Sequence, residues 1–293
     1  MVSGLQRHER RAAYLFLLPS LIGFFIFTLL AFLASFGISF FDWDMLTPPK
    51  FVGLDNYAKL LHDKTFHLVL WNTCIYTLGT VPLTAGLGLL VALGLNQRIR
   101  GLTIYRTIYF MPVVTSLVAV SLLWQWVFDS HYGLLNAMLR FVGVDNAPEW
   151  LSSTTWAMPA LILMSVWSSV GFTMVLFLAG LQNIPDHLYE AAEIDGASAW
   201  KRFRYVTLPL LTPTTFFVIV ISTINSFQVF TQALIMTKGG PVHATSTIVY
   251  YIYENGFHWF KMGYASAMAW VLFVIIFLLT LLQMRLQRKW VHN

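Results

Sequence analysis

Six stretches of this chain contain no Asp, Glu, Lys or Arg: residues 12–41, 65–97, 107–128, 150–185, 205–237 and 262–284. An α-helix needs about 20 apolar residues to cross the hydrocarbon of a bilayer, and a charge at mid-bilayer costs roughly 3 kcal/mol or more. The pattern therefore predicts an all-α membrane protein of six transmembrane helices, with all 18 Lys and Arg and all 13 Asp and Glu outside them. Composition excludes the soluble alternative, because charged residues are 11% of the chain against roughly a quarter in globular domains. The 11 Trp and 12 Tyr suit a girdle where hydrocarbon meets headgroups. Prolines at 19, 82, 112, 159 and 213 fall within or at the ends of these segments and predict kinks or breaks. The first run, from Ala12 to Phe41, exceeds the roughly 7–15 residues of a secretory signal core and reads as a retained span. Cys74, alone in an apolar stretch, reads as packing.

Orientation follows from the basic residues. With a cytoplasmic N-terminus, the inside segments hold Arg7, Arg10, Arg11, Arg98, Arg100, Arg106, Lys201, Arg202, Arg204, Arg285, Arg288 and Lys289. The outside segments hold Lys50, Lys59, Lys64, Arg140, Lys238 and Lys261, together with eight of the 13 acids. The positive-inside rule then puts both termini in the cytoplasm. The expected organisation is a cytoplasmic N-terminus (1–11), a first span (12–41), an external loop (42–66), a five-helix core (67–284) that includes an inside loop at 183–209, and a cytoplasmic tail (285–293). The net charge of +5 comes in threes beside apolar runs, which fits anionic lipid rather than nucleic acid. Outside, Tyr57 to Leu61 after Asn56 and Leu134 to Val142 after Gly133 read as short surface helices, or as ordinary connections.

The inside loop from Asn183 to Pro209 is polar but patterned. Pro185 suits a first helical turn, Asp186 complements the positive end of a helix dipole, and Leu188, Ala191, Ala192 and Ile194 keep helical spacing up to Gly196. A second helix is predicted from Ser198 as N-cap to Pro209, with Lys201, Arg202 and Arg204 on one side and Phe203 and Val206 on another. From the residues alone this is either an amphipathic surface hairpin or a knob built for a partner.

Glu190-Ala191-Ala192, Asp195-Gly196-Ala197 and Val206-Thr207-Leu208-Pro209 resemble the E-A-A, D-G-A, I-x-L-P coupling loop of permease subunits in bacterial binding-protein-dependent ABC importers, with Val206 in place of Ile. Phe51-Val52-Gly53-Leu54-Asp55-Asn56-Tyr57 and Met236-Thr237-Lys238-Gly239-Gly240-Pro241 resemble the first outside loop and the T-x-G-G-P turn of the carbohydrate-uptake branch, which includes maltose, lactose and glycerol-3-phosphate permeases. The resemblance implies a type I ABC importer permease (MetI-like) fold in the bacterial inner membrane, multi-pass. It implies that Glu190, Ala191, Ala192, Asp195 and Gly196 pass nucleotide-driven closure to the spans. The implied partners are a second homologous permease chain, an ATPase dimer docked on the coupling loop and an external solute-binding protein. Lacking G-x-x-x-x-G-K-[ST], the chain is expected to be non-catalytic and to bind no cofactor or metal, with ATP and Mg on the partner ATPase.

Spans without charge favour a neutral sugar or polyol, held by uncharged polar and aromatic groups. The candidates are Ser165, Trp167, Ser168 and Ser169 before the hairpin, and Asn225, Ser226, Phe227, Gln228 and Phe230 after it, in the two regions that maltose-type permeases use for their sugar site. Asn225 and Gln228, three apart, are expected to share a helix face. The competing reading is that these side chains bond between packed spans. A glycerol phosphate is the alternative solute, although phosphate usually recruits Arg or Lys. An ion-coupled secondary transporter would be expected to show intramembrane carboxylates or inverted repeats, and a purely structural subunit would have no use for the patterned loop.

Overall fold

The computed structural model describes residues 4–97, 100–144 and 146–290. Arg98 lies outside them, as do the side chains of Arg7, Arg10, Arg11, Arg288 and Lys289. The chain forms two compact units, residues 1–63 with 252–272, and residues 64–251 with 273–293.

In the first unit, α1 (Ala12–Ile38) is apolar all round and none of its most apolar window is buried against protein. Such a helix requires lipid as its solvent. A six-residue π turn, Phe24–Leu29, lies within it. Near its end the rings of Phe32 and Phe36 lie 4.4 and 4.6 Å from that of Trp270, whose indole N–H donates to Ser35 Oγ at 3.1 Å. Two-residue strands β1 (Phe41–Asp42) and β2 (Lys50–Phe51) pair antiparallel and lead to α2 (Asp55–His62), one of the two surface helices expected from sequence. Asn56, 2% exposed, anchors α2 by donating to the carbonyls of Ser39 and Phe41, both at 2.9 Å.

The second unit is a bundle around two long helices, α3 (Lys64–Leu95) and α7 (Ala157–Gln182). Their contact seals one core cluster that includes Tyr76, Phe128, Leu161 and Met164, and a second that includes Ala92, Met174, Phe177 and Leu211. Between them α4 (Leu102–Val114) and α5 (Leu117–Val127) meet at 98°. The apolar stretch 107–128 is thus a broken pair of helices, with the kink or break expected at Pro112 falling at Thr115. Pro112 deprives the last turn of α4 of a bond, and Thr115 leaves helical geometry at ψ 144°.

The second surface helix is α6 (Leu134–Phe141). Asn136, 1% exposed, holds the surrounding loop together: its Nδ2 donates to the carbonyls of Ser130 and Pro148, and its Oδ1 accepts the indole N–H of Trp150 at 2.7 Å. Because each buried group left unpaired costs about 1–3 kcal/mol, Asn136→Ala is expected to loosen residues 129–156. Limited proteolysis of the folded protein should cut this loop faster in the variant while leaving the rest of the bundle protected.

After α7 come α8 (Asp186–Ile194) and α9 (Ala199–Leu210), then α10 (Thr212–Phe227), bent 63° from α9. The predicted stop at Pro209 is corrected, since α9 runs through it to Leu210. Pro209 has no N–H for the carbonyl of Tyr205, and the helix widens into a π turn over Phe203–Thr207 to accommodate the ring. The chain continues through a π turn at Ala233–Thr237 and α11 (Ile248–Tyr253) to α12 (Met262–Trp290). Among the described residues, four helices are long and apolar enough to cross a membrane, and the two bent pairs bring this to as many as six.

Candidate functional site: a polar cavity and a helical hairpin

The second unit holds a half-open cavity of about 400 Å³ beside two interruptions in apolar helices. One is the α4–α5 break, where Thr115 donates its hydroxyl back to the carbonyl of Met111 at 2.9 Å. The other follows α10, where Gln228 is the C-cap rather than a helical residue. Helical backbone resumes only at Thr231. The carbonyl of Val229, freed by that interruption, accepts the hydroxyl of Thr247 at 2.9 Å. Both breaks border the cavity, one through Val113 and Thr115 and the other through Gln228, Val229 and Phe230.

Of the solute candidates, Ser168, Ser169, Asn225, Ser226, Gln228 and Phe230 line it. The expectation that Asn225 and Gln228 share a helix face is corrected: both face the cavity, but from the last turn of α10 and from its cap. Ser165 is 1% exposed and sits behind the wall, receiving Gln232 Nε2 at 3.4 Å. Trp167 packs edge-on against Trp124 with centroids 5.5 Å apart, and Phe227 is buried. Neither lines the cavity. The structure adds Tyr76, Thr80 and Thr84 from α3, Thr115, and Thr173 from α7. The sequence signal for the α3 set was present in the recurrence of Thr73, Thr77, Thr80 and Thr84 at helical spacing. No Asp, Glu, Lys, Arg or His is among the described lining residues.

The hairpin of α8 and α9 is the other distinctive feature. Gly196 turns the chain at φ +74° with open space around it, a backbone conformation that glycine adopts without strain. Ser198 caps α9, its side chain accepting from the Lys201 N–H at 3.4 Å. Leu188, Tyr189 and Val206 pack on the second core cluster, and Tyr189 and Thr207 share a hydroxyl bond of 3.0 Å. This fixes the hairpin's base to the bundle. Glu190, Ala191, Asp195 and Gly196 remain exposed and Ala192 half-buried. Ile194, Trp200 and Tyr205 are large apolar side chains 86%, 69% and 74% exposed; the sequence reading placed Ile194 in the apolar spacing of α8 and did not mark Trp200 or Tyr205. With the Arg202–Glu193 ion pair (3.2 Å) they make a surface with apolar anchors and a polar surround.

Residues 84–292 match the family model described as "Binding-protein-dependent transport system inner membrane component". The chain is similar to the "Probable ABC transporter permease protein YesP" of Bacillus subtilis, 42% identical over 98% of this chain and 93% of that one. It is also similar to the trehalose/maltose transport system permease protein MalF of Thermococcus litoralis, 34% identical over 98% and 97%. The fold is that of a chain in the crystal structure of a bacterial ABC transporter involved in the import of the acidic polysaccharide alginate, with TM-score 0.84 at 25% identity over 98% and 99%. The patterned hairpin, the broken apolar helices and these likenesses lead to one assignment: this chain belongs to the family of inner membrane components of binding-protein-dependent transport systems, the permeases of ABC transporters.

Proposed function

We propose that this permease forms half of the pathway for a neutral sugar or polyol, and that the solute lies in the cavity between the α4–α5 break and the end of α10. The observation that carries this reading is the cavity's chemistry. Hydroxyl, amide and aromatic groups, with aliphatic ones between them such as Val113, Leu117 and Ile221, line about 400 Å³ without a described carboxylate or cation, which suits ring hydroxyls and C–H faces and gives a phosphate no counter-charge. The trehalose/maltose relative supports the same class. Asn225 and Gln228 carry donors and acceptors to the solute, Ser168 and Ser169 offer hydroxyls, and Phe230 a ring face. Ser165, Trp167 and Phe227 support the wall.

In this reading the two bent pairs are single spans, six in all, with both termini and the α8–α9 hairpin on the cytoplasmic side of a bacterial inner membrane. Residues 12–41 form the first span, and 67–284 the five-helix core. A second permease chain completes the pathway and an external binding protein delivers solute. An ATPase dimer, holding the ATP and Mg, docks on Glu190, Ala191, Ala192, Asp195 and Gly196. ATP-driven closure moves the hairpins, whose bases are tied to α3, α7 and α10 through the second core cluster, so the bundle follows.

The test is solute uptake by the complete transporter in proteoliposomes. Asn225→Ala with Gln228→Ala removes two side chains able to bond the solute. Uptake is expected to fall at least ~10-fold, as the loss of hydrogen bonds each worth ~1 kcal/mol implies, while the assembled complex keeps its ATPase activity without solute. Unchanged sugar uptake would place the solute elsewhere. Uptake of an anionic solute in preference to any neutral saccharide would overturn the substrate class.

A further inference from the structure

One wall of the cavity carries hydroxyls that the bundle itself does not use. Thr73, Thr77, Thr80 and Thr84 share a face of α3. A helical threonine ordinarily satisfies its hydroxyl on the carbonyl four residues back. Thr73 does so, donating to Val69 O at 2.7 Å and accepting the N–H of Ile248 at 3.0 Å. Thr215, Thr223 and Thr280 do the same on other helices. Thr77, Thr80 and Thr84 do not: none of their Oγ1 atoms has a hydrogen-bond partner. Thr77 lies away from the cavity, whereas Thr84, 2% exposed, lines it. Thr80, 6% exposed, lines the same wall beside the Tyr76 hydroxyl.

The position of Thr84 is also particular. One turn further along α3, a Cβ on Gly88 would lie 2.6 Å from Thr173 Cγ2, so α3 and α7 are in close contact there. Thr84 therefore stands where the open wall of the cavity gives way to helix–helix contact. A buried hydroxyl without a partner destabilises a fold, and one kept in a solute cavity has a use if the solute supplies the bond.

We propose that Thr84, with Thr80 beside it, is a second recognition point for the solute, on a different helix from Asn225 and Gln228. It exchanges a hydrogen bond with a ring hydroxyl of a neutral pyranoside while its methyl group meets the ring's C–H face. This rests on the sugar reading above. It adds α3 to the pathway and requires a solute able to bond to two walls of the cavity.

The decisive variant is Thr84→Val, which replaces the hydroxyl by a methyl of nearly the same shape. Thr84→Ser keeps the hydroxyl, and Thr77→Val removes a hydroxyl from the same helix that does not line the cavity. The complete transporter in proteoliposomes, with its binding protein, is given radiolabelled maltose, trehalose and a panel of other saccharides. For a saccharide that wild type takes up, Thr84→Val is expected to lower uptake about 5- to 10-fold, the loss of one hydrogen bond, with an unchanged or higher Tm. Thr84→Ser should recover most of the uptake, and Thr77→Val should transport as wild type. Wild-type uptake by Thr84→Val would overturn the proposal, because the hydroxyl is then idle. A lowered Tm in Thr84→Val would overturn it too, because the hydroxyl then serves the fold. Failure of wild type itself to take up any saccharide would overturn the sugar reading and this proposal with it, and is told apart by the wild-type measurement alone.

Discussion

Gly171→Ala is expected to be among the most damaging single substitutions in the bundle. Gly171 lies in the middle of α7, and a Cβ there would run into the backbone carbonyl of Tyr109 on α4, with Phe110 Cα at 3.1 Å. Backbone cannot rotate away as a side chain can, so α4 must move bodily. In a membrane the association of helices depends on close packing of small residues rather than on hydrophobic burial. Overpacking of a well-filled site typically costs about 1–3 kcal/mol, and backbone against backbone belongs at the upper end. A marked drop in Tm in detergent or nanodiscs is the expected result. Because α4 also borders the cavity through Pro112 and Val113, uptake should fall with it. Gly86→Ala is the control: nothing lies within 4 Å of its Cβ, and alanine is the better helix former by about 1 kcal/mol, so its Tm should be unchanged or raised. Equal Tm values for Gly171→Ala and wild type would mean that α4 and α7 are not in backbone contact.

At the hairpin the expected outcome is the reverse, an intact fold with lost coupling. Gly196→Val places a β-branched residue at φ +74°, a left-handed conformation that costs about 1–2 kcal/mol for any residue with a Cβ. The space around it is open, so the chain can relieve the strain by re-aiming α8 against α9 without disturbing the core beneath. Glu190→Lys reverses a charge on an exposed residue of α8 and leaves the packed Leu188 and Tyr189 untouched. Both variants should insert in the membrane with wild-type Tm. Solute-stimulated ATP hydrolysis by the complete transporter should fall ~10-fold or more, since a docking penalty of about 1.4 kcal/mol already corresponds to tenfold. Wild-type stimulated hydrolysis in both would remove this hairpin from the coupling path. The Arg202–Glu193 pair, 30% and 70% exposed, is worth little by itself, so the hairpin's shape depends on Gly196, the Ser198 cap and the base packing.

The hairpin was legible from its residues because its determinants are local. A proline at the start, a glycine at a left-handed turn and a serine cap act within a few positions of themselves, and α8 and α9 appear where those signals stand. What the motif did not mark was the apolar part of the surface. Ile194, Trp200 and Tyr205 read as ordinary hydrophobic residues until the fold leaves them uncovered, since exposure depends on everything packed nearby. The solute candidates divide for the same reason. Asn225 and Gln228, chosen by type, line the cavity, but Ser165 is turned to Gln232 behind the wall, and Trp167 to Trp124. Which way a helical residue faces is fixed by the partners of its helix.

The absence of charge from six long stretches was enough to determine that this chain is made for a bilayer, because no rearrangement of the backbone makes an isolated charge cheap in hydrocarbon. The order and turn chemistry of residues 183–209 was enough to determine the hairpin. Only the tertiary structure decided which of the proline-bearing stretches break, that the breaks open on one cavity, and that Thr80 and Thr84 from α3 complete its wall. A broken helix survives in a membrane only if groups distant in sequence satisfy its freed backbone, as Thr247 does for Val229, and that pairing is created by folding.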